Sequence, residues 1–260
     1  MPYASGFYYA VSEAPDALRL PVILLHGAGS DHLCWPPELR RLPGHRVLAL
    51  DLPGHGRSKG ITFHSVEKYA LWVVEFMNVV GVYRAILVGH SLGGAVALTA
   101  ALHFPERVAA IGMVSSGARL LVPQPLLSAL SDPKQISRAL MFLEAHLFAK
   151  SARRELITKV MNGLQQVKPE VLLSDWQAAA DFDLSDELNS IEQPVWVATG
   201  TADRITPPAL AYYLQKHLRH ITLQIIPNAG HMVLLEQPDV LAKNLLAFLN
   251  TLQFRLGNFL

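Results

Sequence analysis

"AILVGHSLGGAVALTAAL", residues 85–102, runs for 18 residues without an Asp, Glu, Lys or Arg. That length and composition suit a membrane-spanning helix. The cluster "GHSLGG" in its first half does not, because polar and Gly positions inside lipid would cost several kcal/mol. A buried strand, a sharp turn and a buried helix satisfy the same letters at no such cost, with Ser91 at the turn. The segment therefore predicts strand, turn and helix.

Working outward, further short runs rich in Val, Ile and Leu recur: "PVILLHG" (21–27), "HRVLALD" (45–51), "VAAIGMVSS" (108–116), "QPVWVATG" (193–200) and "ITLQIIP" (221–227). Continuous apolar strands belong to a sheet covered on both faces. Helical patterns lie between them. Residues 65–80 end at Gly81, Thr206 before Pro207 reads as an N-cap and first turn, and Pro238 opens a helix carrying Leu241, Leu245, Phe248 and Leu252. This alternation predicts a mostly parallel α/β sheet, with "GFYYAVSEA" as an antiparallel edge strand. Between Ser116 and Gln193 lie 76 residues, far more than a crossover needs. Three helical patterns there, Ile136 to Leu147, Leu156 to Leu164 and a third after Pro169, predict a helical insertion.

The chain has 260 residues, 22 basic and 21 acidic side chains and one cysteine. The near-neutral balance argues against nucleic acid or an anionic membrane surface as partner. A local excess of basic groups over residues 134–168 reads as solvated helix faces. Cys34 excludes an internal disulfide and a cysteine-based metal cluster, and reads as a packing residue. The N-terminal stretch lacks a basic region and a long apolar core, so a cytoplasmic protein is expected. No His/Asp/Glu spacing suggests a metal.

In a G-x-S-x-G elbow the serine projects from a strand end at a helix N-terminus, and the flanking glycines, here Gly89 and Gly93, let strand and helix pack closely. A serine hydroxyl needs a base, and the base needs an orienting acid. His231 in "IIPNAGHMVLLEQPD" and Asp203 in "VATGTADRITPP" follow strands, and the chain order Ser91, Asp203, His231 matches one of the known triad orders. Asp51 precedes Ser91 and reads as a loop brace, as does His26; His55 belongs to a Gly-rich loop, and His90 reads as a neighbour of the nucleophile. Ser115, Ser116 and Gly117, after the strand before the insertion, offer no carboxylate.

These motifs together resemble the α/β-hydrolase superfamily, in particular its lid-bearing serine carboxylesterases and lipases. "LLHGAGSD" resembles the oxyanion loop, "DLPGHGRS" the next loop, "GHSLGG" the elbow, "GTADRITPP" the acid turn and "NAGHMVLLEQP" the histidine loop. The resemblance implies an α/β-hydrolase core (1–117 and 190–260) with a helical cap (118–189) inserted between the strands near 108–116 and 194–200. It also implies backbone N–H donors from Ala28 and Leu92 for an oxyanion, a small-molecule ester substrate and no cofactor. Dehalogenases and epoxide hydrolases are disfavoured, since they carry Asp at the position of Ser91. Carbon–carbon hydrolases share the serine triad and stay open as an alternative, although many of them carry Trp where this chain has Met232. Lactonases and perhydrolases stay open, as does a ligand receptor on the same fold. Candidate pocket residues are Met141, Phe142, Trp176 and Met232, with Phe182 a further apolar side chain under the cap.

Overall fold

The computed structural model describes residues 3–14 and 19–256. Among these, eight strands form one sheet: β1 (Tyr3–Ala4), β2 (Phe7–Ser12), β3 (Val22–Leu25), β4 (Val47–Leu50), β5 (Ala85–His90), β6 (Val108–Val114), β7 (Val195–Gly200) and β8 (Ile221–Ile226), in the spatial order β1-β2-β4-β3-β5-β6-β7-β8. The pairs from β4 to β8 are parallel, whereas β2 pairs antiparallel with β4, and β1 with β2. The expected antiparallel N-terminal strand is present, but the two-residue β1 lies outside it.

Alternation along each strand explains why the sheet is covered twice. Ile23, Leu25, Leu48, Leu50 and Leu87 point into one core, while Val22, Leu24, Val47, Ala49, Ile86 and Val88 point into another. The first core is closed by α2 (Val66–Val79), α3 (Leu92–His103) and α8 (Pro208–His217). The second is closed by α1 (Pro37–Arg40) and α10 (Pro238–Leu256), whose Leu241, Leu245, Phe248 and Leu252 are buried as the sequence pattern required. Strand β8 is only half-buried. It lies at the sheet edge, where Thr222 and Gln224 are tolerated.

Local signals set the ends. Ser65 caps α2 by accepting from Lys68 N–H, and Val82 N–H closes back on Met77 O after Gly81 (φ +68°). In α3 every residue from Leu92 to Ala101 is buried, which is why it lacks a polar face. Between β6 and β7 the chain forms α4 (Gln124–Ser131), α5 (Ile136–Leu147), α6 (Arg154–Gln166) and α7 (Pro169–Ala180). Three of these four helices match the predicted patterns; α4 is additional. A short helix, α9 (Val233–Glu236), follows the last strand.

Candidate active site

The strand order reverses at β3, whose two neighbours are β4 and β5. In open α/β sheets the carboxyl ends of the strands at such a point form a crevice. Here those ends deliver the residues the sequence singled out: Ala28 after β3, Asp51 after β4, Ser91 after β5, Asp203 after β7 and His231 after β8.

Ser91 sits at φ 52°, ψ −119°, a conformation that costs a non-glycine residue about 1–3 kcal/mol. The surroundings hold it there. A Cβ on Gly89 would lie 2.0 Å from Gly93 O, and one on Gly93 would lie 2.3 Å from Leu25 O, so side chains at either position would push β5, α3 and β3 apart. Ser116 Oγ donates to Ser91 O (2.9 Å), and Ser91 N–H donates to Val114 O (2.9 Å). Among the described residues the Ser91 hydroxyl has no hydrogen-bond partner, nor do the N–H groups of Ala28 and Leu92.

Asp203 and His231 are nearly fully buried and bonded to each other. His231 Nδ1–H donates toward Asp203 Oδ2 (3.1 Å) and Oδ1 (3.2 Å). Asp203 also accepts from Ile205 N–H (3.0 Å), Thr206 N–H (2.8 Å) and Thr206 Oγ1–H (2.8 Å). Burial alone would raise the Asp203 carboxyl, but the charge and hydrogen bond of His231 and the bonds from Thr206 outweigh it and hold it below the usual carboxylate range. His231 Nε2 has no protein partner among the described residues. Thr206, expected as an N-cap, instead spends its hydroxyl on Asp203; Pro207 occupies the cap position of α8.

Sequence reasoning reads His26 as a loop brace, places His55 in a Gly-rich loop and reads His90 as a neighbour of the nucleophile, and it misses how closely these residues support the site. His26 Nδ1–H donates to Gly27 O (2.9 Å) and its Nε2 accepts from Leu52 N–H (2.9 Å). Burial keeps this imidazole neutral, with a pKa lowered to about 4. His90, lowered by burial to about 3, donates from Nε2 to His231 O (3.0 Å) and so fixes the histidine loop from the strand that carries Ser91. Asp51 accepts from His32 N–H and Nδ1–H (both 2.7 Å) and from Arg57 N–H (2.9 Å). Asp31, His32 and Asp51 bring ligand-type atoms within 4.8 Å of one another. The Asp51 and His32 atoms are, however, already bonded to each other.

Over Ser91 lies a narrow crevice of about 10 Å³, room for roughly one water, lined mainly by apolar groups: Ala28, Leu92, Leu120, Val122, Trp176 and Ile205 among them. Of the pocket candidates, Trp176 is there. Met141 is 70% exposed on α5. Phe142 stacks on His146 (ring centroids 4.0 Å apart). Met232 and Phe182 are buried in the two cores rather than at the crevice. Helical spacing identified α5 but not which of its faces looks inward.

The insertion also grips the loops bearing Asp203 and His231. Arg204 donates to Ala145 O and to Phe148 O (3.2 Å), Met232 N–H donates to Leu147 O (3.0 Å), and Glu236 accepts from Ala149 and Gly230 N–H (3.0 Å each).

A parallel sheet sandwiched by helices, with a strained serine at its β5–α3 turn, defines an enzyme of the α/β-hydrolase type. The profile of the alpha/beta hydrolase family matches residues 22–244, and the chain belongs to that family. It is similar to a pimeloyl-[acyl-carrier protein] methyl ester esterase of Vibrio vulnificus (strain YJ016), 30% identical, with 87% of this chain and 93% of the relative covered. A Caulobacter sp. (strain K31) protein provisionally named carbamate hydrolase RutD is 29% identical, over 94% of this chain and 96% of that one. Among solved structures, a thermophilic esterase is 30% identical with a TM-score of 0.83, covering 96% of both chains. Among the described residues no helix is long and apolar enough to cross a membrane.

Proposed function

We propose that this protein hydrolyses carboxylic esters of small molecules through an acyl-enzyme formed on Ser91. The observation that carries this reading is the buried Asp203–His231 pair, whose outer ring nitrogen has no partner among the described residues, at the same sheet edge as a strained serine at the N-terminus of α3. Ser91 Oγ attacks the ester carbonyl as His231 Nε2 takes its proton, and Asp203 balances the imidazolium. The oxyanion meets the free N–H groups of Ala28 and Leu92 at the positive end of α3. Collapse expels the alcohol, which takes the proton back from His231. A water then repeats the sequence and releases the acid. The absence of a Ser91–His231 hydrogen bond fits a ligand-free site, where such bonds are often long until substrate binds.

The names of the relatives at 30% identity, both esterases, support the ester reading. We further infer that residues 118–189 act as a cap on the core formed by 1–117 and 190–260. A crevice of about 10 Å³ cannot hold an ester, so the cap must shift to admit one. Labelling with a fluorophosphonate tests the reading: one equivalent should attach to Ser91 and abolish hydrolysis of p-nitrophenyl acetate. An adduct elsewhere with Ser91 free would overturn it.

A further inference from the structure

Helix α7 reaches the loop after β3 through one buried carboxylate. Asp175 has no exposed surface, and it accepts hydrogen bonds from three separate parts of the core: Gly29 N–H (2.7 Å), His55 Nε2–H (2.7 Å) and Tyr69 O–H (2.6 Å). His55 donates from its other nitrogen to Pro53 O (3.1 Å), so both ring nitrogens face acceptors and the ring is held as an imidazolium. One turn before Asp175, Leu172 packs so tightly on the same loop that a Cβ on Gly29 (φ +62°) would lie 2.3 Å from Leu172 Cδ2. One residue after it, Trp176 lines the crevice over Ser91. Leu172, Asp175 and Trp176 share one face of α7.

A carboxylate buried on an apolar face is weak evidence for stability, because its desolvation offsets much of what its partners return. Its geometry suggests what it is for. The bond to Gly29 N–H fixes the Ala28–Gly29 peptide. The Ala28 N–H lies in the preceding Gly27–Ala28 peptide, on the other side of the Ala28 Cα, so Asp175 restrains its direction through the Ala28 backbone dihedrals. We propose that Asp175 is a positioning residue: from the cap, it aims the Ala28 N–H at the oxyanion, so the oxyanion site is complete only when α7 is docked. This rests on the ester-hydrolase reading above. Cap movement that admits substrate releases Gly29, and closure restores it. Chemistry thus waits for a closed cap.

The test compares Asp175→Asn with Val73→Ala, a truncation in the buried face of α2 chosen to lower the thermal midpoint comparably. Asp175→Asn places an amide N–H₂ among three donors and breaks the set. Its kcat for p-nitrophenyl acetate should fall about 30- to 100-fold, in the range of a misaimed oxyanion donor, with KM within about threefold. Fluorophosphonate labelling of Ser91 should slow by a similar factor, whereas Val73→Ala should keep wild-type kcat well below its midpoint. Equal labelling rates in wild type and Asp175→Asn, or kcat losses that merely track lost stability in both variants, would overturn the proposal. If Asp175→Asn does not fold, Leu172→Ala loosens the same contact: kcat should fall at least about fivefold, and an unchanged kcat overturns the inference. The two readings fail separately. Wild-type Ser91 refusing the label defeats ester hydrolysis itself, whereas a labelled wild type with an equally reactive Asp175→Asn defeats only the positioning role.

Discussion

His231 with Asp203 and His55 with Asp175 are both buried imidazole–carboxylate pairs at the carboxyl end of the sheet, and they differ in what the second ring nitrogen meets. In the first pair that nitrogen has no partner among the described residues; in the second it is tied to Pro53 O. The carboxylates differ too. Apart from its histidine, Asp203 accepts three bonds from its own turn, from Ile205 N–H, Thr206 N–H and Thr206 Oγ1–H. Asp175 accepts its other two from Gly29 and Tyr69, 146 and 106 residues away. The first acid is supported locally and leaves its histidine free to exchange a proton. The second has no local support, and its histidine is consumed in joining the insertion to the core. Pairing alone therefore does not set a histidine's role, and neither does an open nitrogen: His32 is bonded to the buried Asp51 through Nδ1 and has no Nε2 partner among the described residues either.

The sharpest way to break this contrast is Asp203→Asn. The imidazole should then adopt the wrong tautomer, lowering kcat roughly ten-thousand-fold by analogy with the protease triad, while circular dichroism stays native. Retention of more than about a tenth of wild-type turnover would place the acid elsewhere. The reciprocal comparison uses the histidines. His55→Gln should cost about 3 kcal/mol in urea unfolding, since Asp175 is left buried with two donors. His231→Gln should cost about 1 kcal/mol yet abolish turnover, since Asp203 keeps three. Equal stability losses would erase the distinction.

pH separates the pairs by sign. His55 is pulled down by burial, but the charge and hydrogen bond of Asp175 raise it overall. Its stabilisation is present below the ordinary histidine value of about 6.5 and is lost as pH rises through the raised one. His26, lowered by burial to about 4, acts oppositely. Its contribution is present above about 6.5 and lost as pH falls toward 4, at most about 3 kcal/mol. Stability measured from pH 4 to 9 should thus decline on both sides, and His55→Gln should flatten only the alkaline limb. A mutant whose alkaline limb is unchanged would show that His55 does not carry it.

Smaller effects are expected at the crevice. Trp176 Nε1–H is buried without a partner among the described residues, so Trp176→Phe removes an unsatisfied donor and opens space. Its stability should stay within about 1 kcal/mol of wild type while preference shifts up to about tenfold toward longer acyl chains. An unchanged acyl ranking would place the acyl pocket elsewhere. Met141→Ser, on the exposed side of α5, should alter stability by less than about 0.5 kcal/mol and leave rates alone.

Much of this was legible from local pattern. Six apolar runs became β3 to β8, because a doubly covered parallel strand has to be apolar throughout. Ser91, Asp203 and His231 stood out because turns after strands carry recognisable letters. Helix α4 did not, since its eight residues are too few to establish a period. Asp175 was missed for a different reason: a lone acid on the Leu172–Trp176 face is a visible anomaly, but its partners lie 106 to 146 residues away. Periodicity carries no information about polar satisfaction at that range.

The conformation of Ser91 has a consequence for laboratory evolution. At φ 52° the backbone favours glycine, and the surrounding bonds and close packing hold a serine there against that preference. In a library screened for heat resistance with no ester in the selection, Ser91→Gly is expected to be enriched, gaining on the order of 1 kcal/mol after the added freedom of the unfolded chain is subtracted. If sequencing of the survivors found position 91 depleted of glycine, the turn would be less tense than its dihedral angles indicate. The residue proposed as the nucleophile is one that selection for durability alone would discard.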